Sequence, residues 1–354
     1  MDKYWSTGIA DIRPYMPGEQ PAIAGLVKLN TNENPFPPSP AALEAIRHHA
    51  NEDLRLYPDP DSTRLREAFA GVHGIAPECV FAGNSSDEVL AHAFLGLLKH
   101  ASPVLFPDIT YSFYPVYCYL YGIAFETVPL DAQFGVRIGD YARANGGIVL
   151  PNPNAPTGRA LARGDIRRLL ENNRESVVLV DEAYVDFGAE SAIPLVEEFP
   201  NLLVTQTLSK SRSLAGLRVG FAVGQPGLLQ ALERVKGSFN SYPLDRLAIA
   251  GGTAALQDQA HFEHTRREVI AIREWLAAQL TRLGFEVVPS QANFLFAAHA
   301  SHAGEGLLRL LRERRILVRH FAAPRIDRFL RITIGTRAQC ELLVAALEDI
   351  LQTC

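Results

Sequence analysis

Short apolar runs alternate with amphipathic segments of helical period along the first two thirds of the chain, and this alternation limits the possible folds more than any other feature. Six runs of β-forming residues have the composition of buried strands. They are residues 80–82, 103–106, 147–150, 177–180, 202–205 and 220–223. The sequence therefore predicts an α/β fold with a mostly parallel central sheet flanked by helices.

The pattern changes near Tyr242, after which a long amphipathic helix is predicted over residues 259–283. Strand candidates at 316–319 and 329–334 follow, and a helix over 338–351 closes the chain. This mixture predicts a smaller α+β domain after the first one, and 354 residues suffice for two domains.

The first 40 residues are rich in proline, glycine, asparagine and glutamate, and proline disfavours helix there. We expect this segment to be an extended arm that lies over a surface. The predicted division is an N-terminal arm (1–40) that packs with the small domain and a dimer partner, a large domain (41–245) and a small C-terminal domain (246–354).

The charge balance argues against nucleic acid or an anionic membrane surface as the main partner, because 34 Lys and Arg stand against 39 Asp and Glu without a basic block. No apolar stretch approaches the ~20 residues that a membrane span needs. The first residues lack the features of a secretory signal, so we expect a cytoplasmic protein with a small-molecule ligand. The four cysteines lack metal-site or disulfide spacing and are expected to be reduced thiols: Cys79, Cys118, Cys340 and Cys354.

Polar segments follow five of the predicted strands directly. They are residues 83–88, 107–111, 151–158, 181–184 and 206–211. Because the carboxyl ends of parallel strands lie at one edge of the sheet, where open α/β sheets bind ligands, these segments are expected to converge. The sequence therefore predicts one ligand site built from distant parts of the chain.

Two of these segments carry groups that suit a phosphate. The turn at Gly83 leads into a helix whose first N–H groups can bind an anion, although the Ser and Asp residues there are also ordinary N-caps. Lys210 lies among Ser, Thr and Gly residues, and Arg218 follows eight residues later as a candidate bidentate phosphate ligand. A lysine after a strand is more often a solvated surface residue, and that alternative stays open.

Asp181 follows four apolar residues and either caps a helix, pairs with a base or holds a positive charge on a ligand, such as a protonated pyridine nitrogen. Tyr184 either packs in the core or donates a hydrogen bond to a phenolate oxygen. The cofactor that needs a Schiff-base lysine, an aspartate at its ring nitrogen and a phosphate cup is pyridoxal 5′-phosphate.

The chain resembles the fold-type I pyridoxal-phosphate enzymes of the class I/II aminotransferase family and, within it, the members that act on histidinol phosphate. The resemblance extends from about Asp11 to the C-terminus. Its most specific segments are Ile12-Arg13-Pro14-Tyr15-Met16-Pro17-Gly18-Glu19, Leu29-Asn30-Thr31-Asn32-Glu33-Asn34-Pro35, Arg55-Leu56-Tyr57-Pro58-Asp59, Asp181-Glu182-Ala183-Tyr184, Thr207-Leu208-Ser209-Lys210 and Leu330-Arg331-Ile332-Thr333-Ile334-Gly335.

The resemblance implies that Lys210 binds the cofactor covalently and moves a proton at the substrate Cα, that Asp181 keeps the ring nitrogen protonated and that Tyr184 bonds the phenolic oxygen. Tyr111 would stack on the ring. The implied phosphate cup comprises Ser86, Asp87, Ser209 and Arg218, with Thr207 as a further candidate. Tyr57 would reach the phosphate in the neighbouring subunit, so the resemblance implies a homodimer with shared active sites.

In the family an arginine near the C-terminus holds the substrate carboxylate, and Arg331 matches it. For histidinol phosphate the resemblance implies that Arg331, Arg319 and Tyr15 hold the phosphate ester. Asn293 is expected to position other groups, although Arg319 and Asn293 could equally have purely structural roles.

One position departs from the family pattern. Family members often have an asparagine directly before Pro-Thr-Gly that bonds the phenolic oxygen, whereas this chain has Ala155 there. We expect Asn154 to take over that hydrogen bond to the cofactor.

The implied reaction is transamination between L-histidinol phosphate and 2-oxoglutarate, which gives imidazole-acetol phosphate and L-glutamate in histidine biosynthesis. The enzyme alternatives are an aromatic amino-acid aminotransferase and a threonine-phosphate decarboxylase of the same fold. A cofactor-binding regulator is disfavoured because no basic helical segment precedes Asp11, and a nucleotide-binding module is disfavoured because no glycine-rich nucleotide motif is present.

Overall fold

The computed structural model describes residues 3–353, within which the chain forms ten α-helices and thirteen strands. The helices are α1 (Pro40–His49), α2 (Thr63–His73), α3 (Ser85–Leu97), α4 (Tyr114–Tyr121), α5 (Arg163–Asn172), α6 (Pro226–Phe239), α7 (Arg246–Gln257), α8 (Gln259–Arg282), α9 (Gly304–Glu313) and α10 (Arg337–Thr353). The strands are β1 (Val27–Lys28), β2 (Val80–Asn84), β3 (Val104–Pro107), β4 (Phe125–Val128), β5 (Gly147–Pro151), β6 (Val178–Asp181), β7 (Leu202–Thr207), β8 (Val219–Gly224), β9 (Phe285–Val288), β10 (Phe294–His299), β11 (Ile316–Leu317), β12 (Arg319–His320) and β13 (Phe329–Thr333).

Seven strands form the large central sheet in the order β2-β8-β7-β6-β5-β3-β4. Only β8 runs antiparallel to its neighbours within this sheet, and helices cover both faces through two separate apolar cores. The predicted α/β fold is confirmed, as are all six predicted strands to within two residues at either end. The sequence pattern missed β4, because this edge strand is half-exposed and has no continuous apolar run.

The direction of β8 brings its first residues to the edge where β6 and β7 end. At that edge the backbone of β8 passes against the start of α3, and a Cβ on Gly220 would lie only 2.3 Å from the backbone N of Ser86. Glycine is therefore required at position 220 for this close approach. Helix α3 starts at Ser85, before the amphipathic run that begins at Val89, because the Glu88 carboxylate accepts the N–H of Asn84 and stabilises the first turn.

A second, antiparallel sheet has the order β12-β13-β10-β9 and packs against α8, α9 and α10 over its own core. The predicted single strand over 316–319 was wrong, because β11 and β12 pair with different partners. Strand β11 pairs with β1 of the arm, whereas β12 pairs with β13. The arm is thus tied to this part of the molecule by backbone hydrogen bonds.

The domain boundaries at 40/41 and 245/246 stay predictions. Apolar residues of α7 belong to the same core as the large sheet.

Within residues 3–353, no helix is long and apolar enough to cross a bilayer. Cys118 and Cys340 are buried and free, and Cys79 is free and half-buried, whereas Cys354 lies outside the described residues.

Candidate active site

A cavity of about 400 Å³ lies at the carboxyl edge of the large sheet, where this sheet meets the arm and the second sheet. Twelve of the fifteen candidate site residues line it, although they come from segments spread over more than 300 positions. They are Tyr15, Ser86, Asp87, Tyr111, Asp181, Tyr184, Thr207, Ser209, Lys210, Arg218, Arg319 and Arg331. The predicted convergence of strand ends therefore occurs, and the arm and second sheet add the remaining walls.

Asp181 is the last residue of β6, and its side chain is buried at the cavity wall. Its carboxylate accepts hydrogen bonds from the Tyr114 hydroxyl at 2.9 Å, the Thr205 hydroxyl at 3.3 Å and the Ala183 N–H at 3.3 Å. Burial nevertheless raises the pKa of Asp181 to about 6. No cationic side chain of the described residues forms an ion pair with it, so the carboxylate lacks the positive partner that a buried charge requires.

Lys210 and Tyr184 lie together in the same cavity. The Lys210 Nζ is 5.8 Å from the centroid of the Tyr184 ring, and the Lys210 carbonyl accepts a hydrogen bond from Asn34 Nδ2 at 3.0 Å. The Tyr184 hydroxyl accepts a hydrogen bond from Asn32 Nδ2 at 2.9 Å. Side chains of the arm therefore hold the Lys210 backbone and the Tyr184 hydroxyl.

The start of α3 faces the cavity with N–H groups that have no partner within the helix. Arg218, in a left-handed conformation just before β8, pairs with the Asp87 carboxylate at 2.7 Å. The Thr207 hydroxyl contacts the Ser209 hydroxyl at 2.9 Å and accepts the Ser209 N–H at 3.1 Å. A helix end, a guanidinium and two hydroxyls together form a cup that suits a phosphate.

Tyr111 forms part of the wall between this cup and the arm. Its hydroxyl donates to the Asp87 carboxylate at 3.2 Å, and its ring meets the Tyr114 ring edge-on at 5.6 Å. Burial, with the negative charge of Asp87, raises the pKa of Tyr111, so the ring stays neutral. A neutral aromatic ring held at both ends is suited to contact a planar ligand.

Arg319 on β12 and Arg331 on β13 are direct register partners in the antiparallel sheet. Like charges in this position repel each other, and neither arginine forms an ion pair with a carboxylate of the described residues. Arg331 donates to the Asn30 carbonyl at 2.9 Å, but its Nε is buried without a hydrogen-bond partner. Burial lowers the pKa of Arg331, and the charge of Arg319 lowers it further. An anion between the two guanidinium groups would remove their repulsion and give the Arg331 Nε a partner.

Tyr15 lies next to the two arginines, stacked on Phe113 with 4.9 Å between ring centroids. Burial raises the pKa of Tyr15, while Arg331 and Arg319 partly offset this effect. The hydroxyl therefore remains a hydrogen-bond donor at neutral pH.

Three candidate residues do not line the cavity. Asn154 donates to the Ile109 carbonyl and to Thr157 Oγ1, both at 3.0 Å, and Ala155 lines the cavity instead, so the structure does not bring Asn154 to the position expected of it. Asn293 is fully buried and donates to the Asn32 carbonyl at 3.0 Å. Tyr57 lies on the surface with 79% of its area exposed.

Sequence reasoning missed the roles of Asn32 and Tyr114, which contact Tyr184 and Asp181. Asn32 belongs to a segment already singled out, but its partner lies 152 positions away. Tyr114 is 67 positions from Asp181 and carries no local signal. Such contacts become visible only when the sheet is assembled.

Known proteins resemble this chain in both sequence and fold. Residues 24–347 match the family described as aminotransferase class I and II. Histidinol-phosphate aminotransferase 1 of Methylococcus capsulatus is 63% identical over 351 residues, which cover 99% of this chain and 98% of that protein. Histidinol-phosphate aminotransferase of Aromatoleum aromaticum is 63% identical over 356 residues, covering 99% of this chain and 100% of that protein.

Among solved structures, histidinol-phosphate aminotransferase from Sinorhizobium meliloti in complex with pyridoxal-5′-phosphate has a TM-score of 0.83 and 24% sequence identity. The match covers 92% of this chain and 91% of that one. At this identity the likeness shows the fold alone, which agrees with the predicted fold type I.

Proposed function

The chain belongs to the class I and II aminotransferase family, and we propose that it transfers the amino group of L-histidinol phosphate to 2-oxoglutarate in L-histidine biosynthesis. Relatives that are 63% identical over nearly the whole chain carry the corresponding name. The observation that carries the proposal is that Arg319 and Arg331 lie opposite each other without a carboxylate partner, in the same cavity as a separate phosphate cup at Arg218. The phosphate of the substrate would bind to the two arginines, and the phosphate of the cofactor would bind in the cup.

The residues present fit pyridoxal 5′-phosphate. The buried Asp181 lacks a cationic partner, and a protonated ring nitrogen would supply one. The cup at the start of α3 suits the phosphate, and Lys210 is the only lysine among the described residues that line the cavity. When bound, this cofactor supplies an electron sink for the negative charge that develops at the substrate Cα.

Each side chain then has a role that follows from its position. Lys210 would hold the cofactor covalently and move a proton at the substrate Cα, because it is the lysine that lines the cavity in the described part of the chain. Asp181 would keep the ring nitrogen protonated, and Tyr184 would donate a hydrogen bond to the phenolic oxygen. Tyr111 would contact the face of the ring, and the helix N–H groups at Ser86 and Asp87 would bind the phosphate together with Arg218.

The substrate phosphate ester would lie between Arg319 and Arg331, with Tyr15 as a third donor. A dianion there removes the repulsion between the two guanidinium groups and gives the buried Arg331 Nε a partner. The carboxylates of 2-oxoglutarate and glutamate would bind the same group. Gly18 and Thr31 of the arm line this cavity and lie against each other with no room for a Cβ at position 18.

A homodimer is part of the proposal. Tyr57 stacks on Tyr242 with ring centroids 4.7 Å apart, and Leu54, Leu56 and Phe239 are also exposed. Exposed apolar side chains, two of them stacked on each other, are typical of a protein interface, and a second copy of the chain is the proposed partner. Tyr57 would then reach the cofactor phosphate of the neighbouring subunit.

The substrate proposal is tested by comparing turnover of L-histidinol phosphate and L-phenylalanine by the purified holoenzyme, with 2-oxoglutarate as acceptor. We expect kcat/KM to be higher for histidinol phosphate, because only this substrate presents a dianion to both arginines. Activity on phenylalanine alone would instead establish an aromatic aminotransferase. Release of carbon dioxide from threonine phosphate without amino transfer would establish the decarboxylase.

Replacing Arg319 with glutamine should raise KM for histidinol phosphate by about 10- to 100-fold, since a charge-assisted hydrogen bond contributes about 1.5–3 kcal/mol. KM for glutamate should rise less, because Arg331 alone can bind a carboxylate through two hydrogen bonds. Steady-state kinetics of both substrates measure the difference. The matched control is Arg309→Gln, which removes an exposed arginine paired with Glu313 on α9. An equal effect of Arg319→Gln on both substrates would contradict the phosphate role.

A further inference from the structure

We propose that Asn32 is a positioning residue whose side-chain amide fixes Tyr184 as a hydrogen-bond donor toward the cavity. Both residues line the cavity, and Asn32 Nδ2 lies 2.9 Å from the Tyr184 hydroxyl oxygen. The group that accepts the Tyr184 hydrogen bond, the phenolic oxygen of the cofactor, rests on the proposed function. The hydrogen bonds among Asn32, Tyr184 and Thr333 are independent of that function.

The orientation of the Asn32 amide follows from its contacts with Thr333. The Asn32 backbone N–H donates to Thr333 Oγ1 at 3.0 Å, and among the described residues the hydroxyl hydrogen of Thr333 has no acceptor other than Asn32 Oδ1. That hydroxyl donates to Asn32 Oδ1 at 3.1 Å. The carbonyl oxygen of the amide therefore faces Thr333, and the NH₂ group faces Tyr184.

The direction of the next hydrogen bond is then determined. An amide NH₂ group can only donate, so the Tyr184 oxygen is the acceptor from Asn32. The hydrogen of the Tyr184 hydroxyl must point elsewhere, and no acceptor of the described residues takes it. An oxygen that already accepts a hydrogen bond is also a stronger donor. The network thus prepares Tyr184 to donate into the cavity.

Asn32 is itself held rigidly. Its side chain is buried, and its backbone carbonyl accepts a hydrogen bond at 3.0 Å from the side-chain amide of Asn293, which is also buried. The Thr333 N–H donates to the Leu29 carbonyl at 3.0 Å, which ties the same segment to β13. Asn293 therefore helps to hold Asn32 in place, although it does not line the cavity itself.

The backbone conformation at position 32 also favours asparagine, and its effect must be separated from that of the side-chain amide. Asn32 has φ of 56°, a left-handed conformation that asparagine tolerates better than most residues. Glycine tolerates it at least as well. The variant Asn32→Gly therefore keeps the backbone conformation and removes only the amide.

The first test is a spectrophotometric pH titration of the holoenzyme in its visible absorption band. A weaker donor at the phenolic oxygen stabilises the negative charge there less, so the titration midpoint should rise. We expect a rise of about 0.3 pH units for Asn32→Gly and about one pH unit for Tyr184→Phe. Asn32→Gly in the Tyr184→Phe background should add nothing, because the amide acts through the hydroxyl.

A purely structural role would lower the Tm of Asn32→Gly and leave the titration midpoint at its wild-type value. That result, or additive shifts in the double variant, would overturn the proposal. Thr333→Val should reproduce part of the shift, because it removes the group that orients the amide.

A second test needs no cofactor and separates this proposal from the proposed function. In cofactor-free protein labelled with ¹⁵N-asparagine, the Asn32 side-chain protons should exchange slowly with solvent, and their signals should move in Tyr184→Phe. The side chain of Asn240, which is exposed, provides the fast-exchanging control. Fast exchange at Asn32 would overturn the network, whereas a protein that develops no visible band with pyridoxal phosphate would refute the cofactor alone.

Discussion

Replacing Lys210 with alanine should lower kcat for transamination by about 10⁴-fold or more, since both covalent attachment of the cofactor and proton transfer at the substrate Cα depend on its amine. No other lysine of the described residues lines the cavity, so no neighbour can replace it. The wild-type protein should be yellow, and borohydride should fix the cofactor to it irreversibly. The variant should retain no cofactor after borohydride treatment and dialysis.

The matched control for this experiment is Lys99→Ala, which removes an exposed lysine outside the cavity. It should keep wild-type activity and wild-type labelling by borohydride. The Tm of cofactor-free Lys210→Ala should stay close to that of the cofactor-free wild type, because the amine forms no ion pair with any described residue. Covalent labelling that persists in Lys210→Ala would assign the attachment to another residue.

Replacing Asp181 with asparagine should lower kcat by about 10²- to 10³-fold, because a neutral amide cannot keep the ring nitrogen protonated as the carboxylate does. The cofactor should also bind more weakly, since the charge pair with the ring nitrogen is lost. Steady-state kinetics and titration of the cofactor-free variant with pyridoxal phosphate measure the two effects. Wild-type kcat in this variant would remove Asp181 from the catalytic machinery.

The same variant should change how stability depends on pH in the absence of cofactor. Burial raises the pKa of Asp181 from 3.8 to about 6, so the folded protein holds this proton more tightly than the unfolded chain. The contribution of this proton to the free energy of unfolding is fully present below about pH 3.8 and is lost as the pH rises through about 6. The difference between the two pKa values corresponds to roughly 3 kcal/mol of unfolding free energy, of which roughly 1.5 kcal/mol is lost between pH 5 and 8.

Urea unfolding of cofactor-free wild type and Asp181→Asn between pH 5 and 8 isolates this effect. Glu182, whose pKa burial raises to about 7, contributes equally to both proteins. The wild type should therefore lose more stability than the variant as the pH rises. Parallel curves would show that the Asp181 carboxyl does not titrate as its burial implies.

The strands of the large sheet were predictable because each of them is buried on both faces. Such strands appear as continuous apolar runs, as residues 177–180 and 202–205 do, and the signal is local. Strand β4 was missed because an edge strand is half-exposed. The division of residues 316–319 into β11 and β12 was missed because it depends on two different partners, which no local pattern encodes.

The same distinction applies to the cavity. Lys210, Asp181 and the start of α3 could be proposed from the sequence, because each follows a strand and parallel strands end at one edge. The sequence also suggested Asn154 as a substitute donor, but its amide is used by Ile109 and Thr157. A position next to a motif does not determine where a side chain points.

The sequence by itself determined the sheet, the edge at which the polar segments converge and the residue types available there, because periodicity and strand ends are local properties. Only the tertiary structure decided which side chains are partners. Tyr114 supports Asp181, Arg319 lies opposite Arg331, and Asn32 holds Tyr184. These pairs join residues that are distant in the chain or on different strands, and their hydrogen bonds and repulsions arise only when packing brings the groups together and excludes water.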